Sequence, residues 1–413
     1  MEPLFTNDAI VLALILAVLA GIYVTSHSSH KFWKTFYKFV PALLLAYLIP
    51  ALLHWPLGLI SGKESNLYFI ASRYLLPASL VLLCLSIDFK GVVNLGPKAL
   101  IMFLAGTLGV VLGGPVALFV VTYFMPDLLP LTPDELWRGL TTVAGSWIGG
   151  SANQMAMKEI FKVDDNLFGT VVIVDVIVAY TWLGFLLYGA NITDRLDRWL
   201  KADTSAIEAL KEKVAAFRAQ VEKIPTTTDI LVLLAVTFVC VGAAHWGSDV
   251  ISPWLKTKAL SGLSWLEDPY FWLIVLSTTL GLSLSFTRFR NLEGVGASKY
   301  GTIFIYFMVA TIGMKMNLRE VFDNLGLFAV GIIWMLIHII VLLVVAKLIK
   351  APFFFVAVGS QANVGGAASA PVVASAFSPS LAPVGVLLAV LGYALGTYAA
   401  LFCAWLMELV VIG

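Results

Sequence analysis

The chain has 413 residues, 60% of them hydrophobic and only 12% charged, with a net charge of +1 and a mean hydropathy of +0.93. A soluble globular domain carries about 25% charged residues, so this composition excludes a water-soluble fold; the small net charge also argues against a nucleic-acid partner. What it describes is an all-α polytopic membrane protein.

The start, "MEPLFTNDAIVLALILAVLAGIYVTSHSSHKFWK", carries Glu2 and Asp8 where a cleavable signal needs positive charge. Lys31 and Lys34 follow the apolar run, so it reads as a first membrane helix with its N-terminus outside. Apolar runs long enough to span fall at about 8–25, 36–54, 68–87, 99–125, 138–160, 167–190, 227–245, 269–286, 299–316, 325–349, 352–378 and 382–411. About 12–13 transmembrane helices are therefore expected. Cys84, Cys240 and Cys403 each sit inside an apolar run without metal-type spacing and read as buried packing residues.

Two segments break the apolar pattern. "GSWIGGSANQ" (145–154) and "GSQANVGGAAS" (359–369) hold glycine, serine, asparagine and glutamine at bilayer depth. Irregular backbone survives there only when buried or lining a water-filled cavity. Small residues also mark close helix packing, but two such stretches in equivalent places favour a substrate or ion site at discontinuous helices.

Between the halves, residues 191–225 are polar, with Ile207, Leu210, Val214, Phe217 and Val221 spaced by three and four. This is an amphipathic linker helix on the cytoplasmic side, either lying on its own protein or making a dimer contact. It divides the chain into a first transmembrane repeat (1–190) and a second with its linking helix (226–413).

The repeat shows in paired landmarks. "ASRY" (71–74) recurs as "ASKY" (297–300), "NLG" at 94–96 recurs at 324–326, and each polar segment begins Gly-Ser and is followed by a last apolar helix. Twelve plain crossings would make the halves parallel. The acidic loop with Asp127, Asp134 and Glu135 looks external, while 191–224 and the loop with Arg288 and Arg290 look cytoplasmic. Inverted halves are therefore expected, with residues 246–268 suspected of hiding a miscounted element.

Asp175 lies in the middle of "LFGTVVIVDVIVAYTWLGFLLYG". A carboxylate at that depth is costly and points to a cation ligand or proton carrier; the alternative is a structural hydrogen bond. The second repeat offers only Tyr393 and Thr397 at the matching place. Arg73 and Lys299 occupy equivalent positions, either snorkelling at the interface or anchoring an anionic substrate. Lys315 reads as interfacial and His338 as packed with a satisfied ring nitrogen. HExxH, Walker A and CxxC patterns are absent from the sequence, so an enzyme is not expected.

"AGSWIGGSANQ" and "VGSQANVGGAASAPVVA" resemble the uncharacterised bacterial membrane family called domain of unknown function 819, over nearly the whole chain. More distantly, the layout is similar to the superfamily of cation/proton antiporters and bile-acid sodium symporters. That resemblance implies inverted repeats, a panel and a core domain, and crossed discontinuous helices with Asp175 as the ion- or proton-carrying acid. It also implies that Ser146, Ser151, Asn153, Gln154, Ser360, Gln361 and Asn363 line the crossing. One acid rather than a tandem pair departs from the antiporter pattern. The expected function is an ion-coupled secondary transporter of a small polar anionic or zwitterionic solute in the bacterial inner membrane. Na+ is the first expected ion and H+ the second, held by Asp175, Asn153, Asn363 and Ser360; no other cofactor is expected. A cation/proton antiporter, and a channel or membrane-embedded enzyme, are the alternatives.

Overall fold

In the computed structural model, the described residues are 3–40, 42–62, 65–126, 131–203, 205, 207, 225–257, 264–315, 326–378 and 381–412; among them every regular element is helical. The first half begins with α1 (Asp8–Ser26), where the Asn7 side chain accepts from Ala9 N as the cap. The aromatic and basic α2 (Lys31–Phe39) leads back into α3 (Ala42–His54). α4 (Leu67–Leu85) contains a π turn at Ala71–Leu75, just before Pro77. Proline has no N–H to offer the preceding turn. The carbonyls left over find partners on later helices: Tyr270 Oη donates to Ser72 O at 2.9 Å and His245 Nε2 to Arg73 O at 3.0 Å.

The first half continues through α5 (Phe89–Asn94), α6 (Pro97–Phe124), α7 (Pro133–Gly149), α8 (Ser151–Ile160), α9 (Asp165–Asn191) and α10 (Thr193–Leu200). The second half contains α11 (Thr227–Lys256), α12 (Pro269–Ser285), α13 (Ala297–Gly313), α14 (Leu327–Leu348), α15 (Phe353–Val364), α16 (Gly366–Phe377) and α17 (Ala382–Ile412). Capping boxes at Thr132/Glu135 and Thr226/Asp229 start α7 and α11.

Contacts between helix ends sort those ends onto two faces. On the face we label upper, Ser65 Oγ donates to Asp8 Oδ1 at 2.6 Å, Gly62 N donates to Met314 O at 3.0 Å, and Lys315 pairs with Asp165 at 2.7 Å. The starts of α1, α4 and α9 and the end of α13 are therefore level. On the lower face, Lys98 Nζ meets Asp203 at 2.8 Å and Lys350 O at 3.4 Å, and Asp197 accepts from Phe353 N at 2.7 Å. This gathers the start of α6, the segment after α9 and the α14–α15 junction.

The same test shows that α7 and α8 do not cross. Arg138 Nη1, near the start of α7, donates to Phe161 O just beyond α8 at 3.4 Å, and the Trp137 and Phe161 rings lie 5.4 Å apart. The pair is a hairpin that enters from the upper face and returns to it. The second pair, α15 and α16, is a hairpin from the lower face, since Phe377 at its end packs on Phe354 at its start with ring centroids 5.3 Å apart.

Two expectations are corrected by this arrangement. Twelve to thirteen spans become ten crossings and two hairpins among the described residues. Seven helices are long and apolar enough alone, two more qualify as bent pairs, and the 17-residue α13 packs among them. The discontinuous helices turn back at mid-depth instead of running through. The parity conflict then disappears: each half makes five crossings, an odd number, so the second half starts on the opposite face and is inverted. Residues 246–256 are simply the end of α11 and hide no extra span. Asp127, Asn324 and most of the expected linker seam (Leu210, Val214, Phe217, Val221) lie outside the described residues. Within the described part of that linker, Leu200 is buried and Ile207 is half-buried against the α6–α15 core.

α6, α9, α14, α17 and both hairpins pack together as a core, with the first hairpin against α17 and the second against α6. α1, α3, α4, α11, α12 and α13 pack as a panel beside them. The hairpin geometry predicts that cysteines placed at Glu135 and at Lys162 label with a membrane-impermeant maleimide from one side of the membrane, and a cysteine at Lys350 from the other. Labelling of Glu135→Cys and Lys162→Cys from opposite sides would restore a through-going helix.

Candidate functional site: a cavity at the two hairpin tips

The first hairpin turns at Gly150, which has φ +76° and ψ −171°, backbone that a side chain disfavours. Beside it Gly149 meets Gly396 of α17 so closely that a Cβ on Gly396 would lie 2.4 Å from Gly149 Cα. The second hairpin turns between Val364 and Gly366, the latter at φ +59°. Each tip leaves one helix C-terminus and one helix N-terminus at mid-depth, where no water completes their hydrogen bonds.

Asp175 sits about ten residues into α9, 5% exposed. Two groups of the first hairpin hold its carboxylate. Trp147 Nε1 donates to Oδ1 and Gln154 Nε2 donates to Oδ2 at 2.9 Å, and the Ser146 hydroxyl lines the same cavity. An isolated ion in this setting costs several kcal/mol; the two donors stand in for part of its water shell. Trp147 was legible only as one letter of the polar run, although an indole N–H inside such a run is a buried donor needing an acceptor.

Asp175 forms part of the wall of a cavity of about 370 Å3 between core and panel. The core side is Ser146, Gly150, Ser151 and Gln154 from the first tip, Gln361 and Gly365 from the second, and Tyr180 and Tyr393. The panel side includes Tyr47, Leu83, Thr302 and Tyr306. Among the described residues that line it, Asp175 is the one carboxylate and none is Lys, Arg or His. Gln361 donates from Nε2 to Ser369 Oγ at 2.8 Å, while its Oε1 is buried with no donor. Of the residues expected to line a helix crossing, Ser146, Ser151, Gln154 and Gln361 lie in the wall of this cavity.

Asn153, Asn363 and Ser360 are buried elsewhere. Asn153 Nδ2 donates to Gly149 O at 3.1 Å and Tyr393 O at 3.0 Å, and its Oδ1 accepts from Thr397. Asn363 accepts from Thr107 at 2.8 Å and donates to Phe103 O and Gly359 O, both at 2.9 Å. These amides bind each hairpin to a helix of the other half, with their hydrogen-bonding capacity used. Ser360 Oγ accepts from Trp182 Nε1 at 2.8 Å and lies 2.8 Å from His338 Nε2, whose Nδ1 is 3.0 Å from Gly106 O. His338 is thus the satisfied, packed histidine that its sequence context suggested.

The two expected cationic anchors are corrected as well. Each opens its span, and inversion sends equivalent positions to opposite faces. Arg73 lies over the Tyr270 ring at 4.5 Å toward the upper face, while Lys299 starts α13 at the lower face. Neither lines the cavity.

A layer of charge roofs the cavity on its upper side and joins core to panel. Lys315 of the panel and Lys158 of the core share Asp165, at 2.7 and 2.8 Å. Lys162 pairs with Asp268 at 2.7 Å, and Tyr68 donates to Glu159. Beneath, Tyr47 Oη reaches Met155 Sδ and its ring meets Phe168 edge-on. Sequence reading found Lys315 interfacial but missed this layer, because its partners are scattered along the chain. Lys158 is 5% exposed and Lys162 75% exposed. Asp165→Asn, which leaves the buried Lys158 only the Tyr68 hydroxyl at 3.1 Å and Glu159 at 3.5 Å, is expected to cost about 2 kcal/mol in thermal unfolding, and Lys162→Met less than about 0.5 kcal/mol.

Residues 13–409 match the family model described as "Protein of unknown function (DUF819)". The chain is also 25% identical over 350 residues to an uncharacterized membrane protein, YjcL, of Bacillus subtilis (strain 168), covering 82% of this chain and 83% of that one. The two glycine-rich hairpins lie within the matched span, and the chain belongs to the DUF819 family of membrane proteins.

Proposed function

We propose that the protein is a secondary active transporter that carries a small polar organic solute by alternating access, coupled to a cation at Asp175. The observation that supports this best is the position of that carboxylate. It is held by two donors at the tip of a re-entrant hairpin, in a cavity of about 370 Å3 bounded by two inverted hairpins and a separate panel. That volume suits a small ligand, and a boundary between two packed bodies is where alternating access needs its site.

Sodium is the first ion we propose and the proton the second. Asn153, Asn363 and Ser360 are committed to tethers, so cation ligation falls to Asp175, the Ser146 and Ser151 hydroxyls, Gln361 Oε1 and carbonyls at the C-termini of α7 and α15. These are hard oxygen ligands. With Arg73 and Lys299 outside the cavity, positive charge comes from the N-termini of α8 and α16, which suits the carboxylate end of a zwitterion. We place the lower face, with Lys31, Lys34, Lys90, Lys98, Arg288, Arg290 and Lys350, in the cytoplasm by the positive-inside rule, and the protein in a bacterial inner membrane. Cation/proton antiport without an organic solute is the second reading; the single carboxylate, where the antiporter pattern has a tandem pair, weighs against it.

The test is thermal unfolding of purified protein in sodium against potassium. Sodium at 100 times its dissociation constant stabilises by about 2.7 kcal/mol through mass action. The expected result is a higher melting temperature in sodium for the wild type and no difference for Asp175→Asn. A melting temperature indifferent to sodium but dependent on pH through Asp175 would move the coupling to protons.

A further inference from the structure

We propose that the solute carries an ammonium group, seated against Asp175 among the tyrosines of the cavity wall. This rests on the reading of the cavity as a transport site and narrows its substrate class. The cavity has a distinctive wall: Tyr47 from α3, Tyr180 from α9, Tyr306 from α13 and Tyr393 from α17 converge from four helices on a space whose described lining residues include one carboxylate and no cationic side chain. Tyr47 and Tyr180 line this space together with Asp175. Tyr306 is buttressed edge-on by Tyr23, with ring centroids 5.1 Å apart. Aromatic rings around a fixed negative charge attract an organic cation through their negative faces as well as by the charge itself.

A free carboxylate solute meets the opposite situation. The side chains lining this space give it only repulsion from Asp175 and no basic partner, leaving helix N-termini as its sole attraction. A zwitterion fits both ends, with its ammonium at Asp175 and its acid group toward Ser151 and Gly366, which begin α8 and α16. Gln361 adds an oxygen that has no donor, a second acceptor for an N–H-bearing head.

The same chemistry separates this class from its rivals by a matched panel. Melting curves of the full chain in sodium buffer are recorded with ethanolamine, putrescine, choline, glycine, alanine and proline. They are repeated with the N-acetylated amino acids, with 3,3-dimethylbutanol as the neutral shape of choline, and with propionate and succinate. Compounds with a charged nitrogen are expected to raise the melting temperature, and their acetylated, neutral or carboxylate counterparts to fall at least tenfold short in apparent affinity. Tyr180→Phe is expected to keep the binding and Tyr180→Leu to weaken it about tenfold. Stabilisation by propionate, succinate or N-acetyl amino acids at equal or lower concentration overturns the ammonium assignment and leaves the cavity a solute site. If nothing in the panel binds and sodium gives no Asp175-dependent shift, the transport reading falls, and this one with it.

Discussion

Backbone at bilayer depth has no water to finish its hydrogen bonds, and the rest of this structure follows from how two interrupted helices meet that constraint. Each hairpin ends in unpaired peptide groups halfway across the membrane. Neither is tolerable against lipid, so each tip is enclosed by helices of the other half. Asn153 ties the first hairpin to the Tyr393 and Thr397 turn of α17, and Asn363 ties the second to Phe103 and Thr107 of α6. The core is thereby an interlocked product of both halves, which neither repeat could form alone.

Once the tips are enclosed, polarity is available at depth, and the chain uses it sparingly. The asparagines and Ser360 satisfy helix packing. Asp175, Gln154, Ser146 and Gln361 are left on the surface that meets the panel. The panel contributes mainly phenol rings and aliphatic side chains there, a smooth counter-surface with few directional bonds to break. Directional bonds between core and panel lie in the Lys158–Asp165–Lys315 and Lys162–Asp268 layer at the upper face and between α12 and α17, where Thr278 Oγ1 is 3.2 Å from Thr397 Oγ1 and Thr279 Oγ1 is 2.8 Å from Tyr398 Oη. Sliding or rocking of one body against the other would have to open both sets.

Much of this was legible in the sequence. All twelve apolar runs correspond to elements of the fold, and both glycine-rich segments are interruptions at mid-depth. Asp175 was recognisable because an acid amid twenty apolar residues admits few explanations. What composition could not give was direction. A hairpin and a through-going broken helix have the same hydropathy, and only the Trp137–Phe161 and Phe354–Phe377 contacts distinguish them. The division of polar residues into tethers and cavity wall was equally hidden: Ser151 and Asn153 are two residues apart, yet one faces the cavity and the other faces α17. Arg73 and Lys299 misled for a related reason, since equivalence in an inverted repeat means opposite faces.

The solitary charge of the cavity wall has an electrical consequence. Asp175 belongs to the core, and a core that shifts against the panel takes its carboxylate through part of the membrane field. One elementary charge crossing 100 mV is worth about 2.3 kcal/mol. On the proposed reading, a cavity holding one sodium ion and one zwitterion would be electrically neutral and indifferent to voltage, while the empty cavity would carry the charge of Asp175. A membrane potential negative inside would then drive the empty core outward and leave the loaded journey alone, so that voltage would reset the proposed carrier while the ion gradient loads it.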